Sequence, residues 1–292
     1  MKLSLNWLKD YIDPKLPTDT LIHRLVMAGW EVENVDVHGK DTVFELEITP
    51  NRPDCLNILG LAREIGAITA KKVKYPKITS HKSSKEKILI EIQDKKDCSR
   101  YIGTVIKNVQ VGSSPSSIKE RIEALGINSI SDAVDITNFV LMETGQPLHV
   151  FDYDKIIGGK IIVRRAKAGE KIVTLDGIER SLDPSILIIA DEKRPIAIAG
   201  LMCGKDTEVT AQTKNILLES AHFDMTLIRR ASRKLGLRSD SSYRFERNVD
   251  FNGVLTGANR ATDLLLEFTK GKLFTRTDIA HAPKLLNTTI KI

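Results

Sequence analysis

Asp135-Ile136-Thr137-Asn138-Phe139-Val140-Leu141-Met142-Glu143-Thr144-Gly145-Gln146-Pro147-Leu148-His149-Val150-Phe151-Asp152 decides how the 292-residue chain is read. Val134, Ile136, Phe139, Val140 and Met142 recur at roughly helical spacing, which predicts a helix here. Gly145 fits as its left-handed stop, and Pro147 stands just beyond, where a helix cannot continue. The Gly-Gln-Pro turn then aims His149. Thr137 and Asn138 place a hydroxyl and an amide in an apolar helix, where both weaken helix propensity and need partners. Polar groups converging on a rigid turn suggest a pocket. Capping groups beside a satisfied core histidine would give the same spacing.

The flanking segments read as α+β. Residues 1–80 form a small unit that starts with a helix capped by Thr18, carrying Leu21, Ile22, Leu25 and Val26 and stopped by Gly29. Alternating strands at 30–35 and 43–48 follow, joined by a hairpin loop around His38-Gly39-Lys40-Asp41. A helix with Leu56, Leu59, Ala62, Ile65 and Ile68 closes the unit. The basic, polar run at 71–87 is the natural linker. A larger, strand-rich mixed α/β domain comes next, with strands at 88–92, 101–109, 161–164, 171–175, 186–190, 196–200 and 215–220. Its helices are one opened by Ser114-Pro115 and stopped by Gly126, and one at 224–235 closed by Gly236.

A length of 292 residues also favours two domains. Forty-four Lys and Arg against 38 Asp and Glu leave +6, which permits a polyanionic partner without demanding one. Cys55, Cys98 and Cys203 are widely separated, so neither a zinc site nor a disulfide framework is supported, and reduced thiols are expected. The opening residues lack a signal peptide's apolar run, and no stretch is long enough to span a bilayer. A cytoplasmic location without membrane contact is expected.

Three further features bear on chemistry. Arg229, Arg230, Arg233, Lys234 and Arg238 form a basic cluster, followed by Ser239, Ser241, Ser242, Arg244 and Arg247. Guanidinium groups among hydroxyls suit phosphate contacts; a solvated basic face is the plain alternative. Ile198-Ala199-Gly200-Leu201-Met202-Cys203-Gly204 offers small residues where a ligand approaches backbone N–H groups, or simply makes a tight turn. No G-x-x-x-x-G-K or G-x-G-x-x-G is present. Glu219 interrupts Ile216-Leu217-Leu218-Glu219-Ser220-Ala221, either facing solvent by alternation or standing at the edge of an apolar pocket to read a polar ligand atom.

Taken together, the chain resembles the β subunits of bacterial phenylalanyl-tRNA synthetases. The carriers begin with Leu5-Asn6-Trp7-Leu8, Met27-Ala28-Gly29-Trp30-Glu31-Val32-Glu33 and Leu46-Glu47-Ile48-Thr49-Pro50-Asn51-Arg52-Pro53-Asp54-Cys55-Leu56. They continue through Val134 to Asp152, Ala199-Gly200-Leu201-Met202, Leu217-Leu218-Glu219-Ser220-Ala221 and Ser241-Ser242-Tyr243-Arg244-Phe245-Glu246-Arg247. The resemblance implies that residues 86–275 are an editing domain that hydrolyses tyrosine wrongly attached to the phenylalanine tRNA. Thr137, Asn138, Pro147, His149, Ala199, Gly200, Glu219, Ser239 and Ser241 would form its pocket. His149, Thr137 and Asn138 would carry the catalytic part, with water positioned by His149 and the tRNA's terminal hydroxyl. Backbone N–H groups near Ala199 and Gly200 would steady the oxyanion, Glu219 would accept from the tyrosine phenol, and the basic cluster would bind tRNA. The implied partners are tRNA(Phe) and the catalytic α subunit of the heterotetramer. ATP and magnesium would serve only the full synthetase, so this chain is expected to need no cofactor and not to aminoacylate.

Departures from the family are also visible. The short connection at 36–42 replaces an inserted tRNA-binding oligonucleotide-fold domain. Asn128-Ser129-Ile130-Ser131-Asp132 differs from the usual run, and Cys203 and Asn248 stand where glycine is common. Residues 276–292 would begin a following domain, so the chain is either a fragment or a short protein. A non-catalytic tRNA-binding or assembly module with decayed editing, or a free-standing trans-editing deacylase, are the alternatives.

Overall fold

The computed structural model describes residues 1–81 and 86–282. In the N-terminal unit β1 (Lys2–Ser4), α1 (Leu5–Leu8), α2 (Thr18–Met27), β2 (Glu31–His38), β3 (Asp41–Glu47) and α3 (Ile58–Thr69) build a three-stranded sheet, ordered β1-β3-β2, with its helices. The next elements are β4 (Leu89–Ile92), β5 (Cys98–Lys107), α4 (Ser116–Ala124), α5 (Asp132–Thr144), β6 (Leu148–Asp152) and β7 (Lys160–Arg165). A run of short strands follows: β8 (Lys171–Val173), β9 (Glu179–Ser181), β10 (Leu187–Ala190), β11 (Pro195–Ile198) and β12 (Met202–Cys203). The remainder is β13 (Asn215–Phe223), α6 (Met225–Leu235), α7 (Asp240–Phe245), α8 (Gly253–Phe268) and β14 (Lys272–Ala280).

A four-stranded sheet, ordered β14-β5-β13-β6, lies between two cores. Alternation sends Ile106, Val150, Ile216 and Leu218 toward α4, α5, α8 and the N-terminal unit. Tyr101, Val105, Phe151, Leu217, Ala221 and Phe223 point the other way, onto the five-stranded sheet β12-β11-β10-β7-β4. The first core runs unbroken from Leu3 and Trp7 to Phe139 and Leu265, and Trp7 stacks on Phe139 with ring centroids 4.7 Å apart. The N-terminal unit therefore shares its core with the rest of the chain.

The expected linker is not free at its start. Asp263 on α8 accepts the Thr79 N–H (2.8 Å) and pairs with the His81 ring (2.7 Å), and Arg276 donates to the His81 carbonyl (3.1 Å). Residues 82–85 of that linker lie outside the described residues. The boundary expected at 275/276 falls inside β14, which pairs with β5 from Lys272 to Ala280. Dividing a ladder there would strand backbone hydrogen-bonding groups. Residues 283–292 of the expected following domain lie outside the described residues.

Local corrections have simple causes. The key helix starts at Asp132, because Ser131 caps it by accepting from the Val134 N–H, and Gly145 ends it at φ +83° as expected. Pro17, not Thr18, holds the cap position of α2. Pro115 holds that of α4, and the Ser114 hydroxyl donates instead to Asp135. The sequence reading placed no element over α7, α8 or β14. In α8 glycines and threonines dilute the apolar period, yet Gly257 is required: a Cβ there would lie 2.7 Å from Gln146 Cγ.

Candidate active site

A cavity of about 310 Å³ opens where edge strand β6 meets the β11–β12 end of the other sheet. α5 supplies Thr137 and Asn138, the turn after it Pro147, β6 His149, β13 Glu219, the loop after β11 Gly200, and the start of α7 Ser239 and Ser241. Eight of the nine residues expected in a pocket thus line one cavity. The ninth, Ala199, does not. It is fully buried, and its N–H donates to Leu187 O (3.0 Å), so it cannot steady an oxyanion.

Register explains the central pair. Glu219 lies directly across from His149 on β6 and from Gly103 on β5. Cross-strand partners share a face, so the carboxylate points inward beside the imidazole and not to solvent. The solvent-facing alternative for Glu219 is excluded, since it is 7% exposed. Glu219 Oε2 accepts from the Tyr101 hydroxyl at 2.7 Å, and burial pushes the Glu219 pKa up to about 7 against the opposing pull of that bond. His149 packs edge-on to Phe151 (ring centroids 4.5 Å), and burial lowers its pKa to about 3, so the imidazole is neutral at pH 7. Among the described residues nothing hydrogen-bonds its ring. The Asn138 and Ser241 side chains are likewise free for a ligand. The Thr137 hydroxyl donates to Val134 O (2.6 Å) and keeps only acceptor capacity, while the Ser239 hydroxyl donates to Leu201 O and caps α7.

The Ile198-to-Leu201 turn is closed by the Leu201 N–H on Ile198 O, with Gly200 at φ +67°. A Cβ on Gly200 would also lie 2.8 Å from the Phe245 ring, so glycine is required twice over. Its N–H donates to no acceptor among the described residues. Sequence reasoning missed Tyr101 altogether and gave Cys203, Ile130 and Leu175 no part in the pocket. Ile130 is 74% exposed and joins Leu175 as an apolar part of the cavity lining. The unusual 128–132 run is anchored, because buried Asp135 accepts from the Ser129 hydroxyl and the Ile130 N–H.

Comparison with known proteins matches the B3/4 domain to residues 97–270, more than half of the sequence and every residue that lines this cavity. The chain belongs to the B3/4-domain family. It is 50% identical over 237 residues to a phenylalanine–tRNA ligase β subunit from Moorella thermoacetica, covering 80% of this chain and 30% of that protein. The corresponding protein of Aquifex aeolicus is 47% identical over 258 residues, covering 88% and 33%. The chain therefore spans about a third of the length of the curated relatives it matches. A solved N-terminal fragment of the phenylalanyl-tRNA synthetase β subunit from Pyrococcus horikoshii is similar at 16% identity and a TM-score of 0.44, covering 94% of this chain and 74% of that one.

Packing sorts the basic residues into exposed and buried. Arg229, Arg230, Arg233 and Lys234 form one exposed face of α6, with exposed Arg238 just beyond it. Lys234 is held by Asp183. Arg244, read with this cluster, is instead buried, donating to Leu56 O (3.0 Å) in the N-terminal unit and pairing with Asp240 (2.9 Å) on its own helix. Arg247 stacks on Tyr243 and pairs with Glu246. Asn248, which replaces a common glycine, sits at φ +70°, a conformation asparagine tolerates. Among the described residues one cluster, Asp54, Cys55 and Glu64, gathers metal-ligand atoms. The Arg52 guanidinium bonds all three, and burial pushes the Cys55 thiol up to about 12. Cys55, Cys98 and Cys203 are unpaired, and among the described residues no helix is long and apolar enough to cross a membrane.

Proposed function

We propose that the cavity is the editing site of a phenylalanine–tRNA ligase β subunit, hydrolysing tyrosine from mischarged tRNA(Phe). One observation carries the reading: a buried carboxylate without a cation and a neutral imidazole face one cavity from paired positions on adjacent strands. Glu219 accepts a hydrogen bond from the substrate phenol. Phenylalanine leaves that carboxylate desolvated and unmatched, and sites built on a substrate hydroxyl reject the analogue lacking it by about 10⁴ to 10⁵. With so low a pKa His149 is a poor proton acceptor at pH 7, so it orients the attacking water, helped by the tRNA's terminal hydroxyl. The Gly200 N–H is free to donate to a ligand oxygen, and Thr137 and Asn138 hold the ester end. Arg229, Arg230, Arg233 and Arg238 contact the tRNA backbone. The α subunit and tRNA(Phe) are the proposed partners in the full heterotetramer.

Incubating the purified chain with tyrosyl-tRNA(Phe) and measuring released tyrosine tests this directly. Release faster than from phenylalanyl-tRNA(Phe) is expected. Binding without release would identify a non-catalytic tRNA module.

A further inference from the structure

Tyr101 is fully buried on β5 behind the cavity wall, and its hydroxyl supplies the hydrogen bond that the protein makes to Glu219 among the described residues. Gly103, directly opposite Glu219, has no side chain, so Tyr101 reaches the carboxylate diagonally from one pleat further along. The titratable groups facing Glu219 are Tyr101 and Cys98 from β5, His149 from β6 and Cys203 from β12. None is cationic at neutral pH: burial lowers His149 and raises both thiols and the phenol. A carboxylate with no cation and one fixed donor has its orientation set by that donor.

We propose that Tyr101 is a specificity-setting positioning residue: its phenol holds Glu219 by Oε2 and leaves Oε1 as the acceptor offered to a hydroxyl-bearing side chain in the cavity. The proposal deepens the editing reading and rests on it. A flexible carboxylate would turn to satisfy itself or draw in water, and discrimination between tyrosine and phenylalanine would fall.

The test is Tyr101→Phe, which removes one oxygen and keeps the ring. Carbon-13 carboxyl NMR follows the Glu219 titration, and deacylation of tyrosyl- and phenylalanyl-tRNA(Phe) is compared over the same pH range. Losing the donor should raise the Glu219 midpoint by about one unit, a tenfold change in its ionisation equilibrium, and narrow tyrosine preference about tenfold. 3-Fluorotyrosine at position 101, a stronger donor of similar shape, should lower the midpoint and preserves the test if Tyr101→Phe folds poorly. An unmoved midpoint in both proteins overturns the proposal. A moved midpoint with unchanged amino-acid preference overturns its specificity claim. Should the native chain release no tyrosine while the midpoint still moves, the editing reading fails and the Tyr101–Glu219 coupling stands.

Discussion

Two glutamates among the described residues are buried, and their partners differ. Glu143 on α5 receives the Arg260 guanidinium through both oxygens (2.8 and 3.0 Å) and the Tyr11 hydroxyl as well. It ties α8 to α5 and to the N-terminal unit. Glu219 receives one phenol and no cation, and it faces a cavity. A buried carboxylate matched by a guanidinium fork is a structural clamp. One left partly matched carries a desolvation penalty, visible in its raised pKa, that a ligand's donor relieves.

The largest effect should come from breaking the clamp. Arg260→Ala leaves Glu143 buried without its cation and should destabilise the fold by about 3–5 kcal/mol in urea denaturation. A variant as stable as the native chain would erase the contrast between the two glutamates.

The next test titrates Glu219 through stability. Its folded pKa of about 7 exceeds the ordinary value of 4.5, so the folded state binds the extra proton and the stabilisation is full below pH 4.5. That contribution is lost as pH rises through 7. Glu219→Gln should therefore hold its stability better than the native chain between pH 5 and 8, by roughly 2–3 kcal/mol. His149 acts with the opposite sign: its depressed pKa gives stability above pH 6.5 that is lost as pH falls toward 3. Parallel pH profiles for Glu219→Gln and the native chain would show that Glu219 titrates normally.

Activity separates reading from chemistry. Glu219→Ala should slow tyrosyl-tRNA(Phe) hydrolysis about ten- to 150-fold, the worth of one charge-assisted hydrogen bond at about 1.5–3 kcal/mol, and narrow the preference for tyrosine. His149→Ala should slow hydrolysis and keep the preference. Full selectivity in Glu219→Ala would reduce Glu219 to a second structural carboxylate. The smallest effect is expected on α6: Arg230→Gln and Arg233→Gln should each weaken tRNA binding modestly and flatten its salt dependence by about one contact, with amino-acid preference unchanged.

Helix stops were legible because they are local, whereas both caps read from the sequence, Thr18 and Ser114, fall one residue away from the true cap positions. Gly145 and Gly236 end their helices in the left-handed region, and Asp224 caps α6 by accepting from the Leu227 N–H (2.8 Å). The hairpin of β2 and β3 followed from alternation alone. Arg244 and Arg230 look alike in sequence, and only packing buries the first under the N-terminal unit and leaves the second exposed. Ala199 and Gly200 are neighbours with opposite fates, because a backbone N–H is either spent on a strand or left for a ligand.

The sequence by itself determined the α+β class, the type of each element it placed and the residues with chemistry to offer, since stops and apolar periods act over a few positions. Tertiary structure decided which way Glu219 points, that Tyr101 stands behind it, and that residues 1–80 share a core with the rest. Strand register and layer packing set those outcomes, and both join residues more than a hundred positions apart, as the Tyr101–Glu219 bond does over 118.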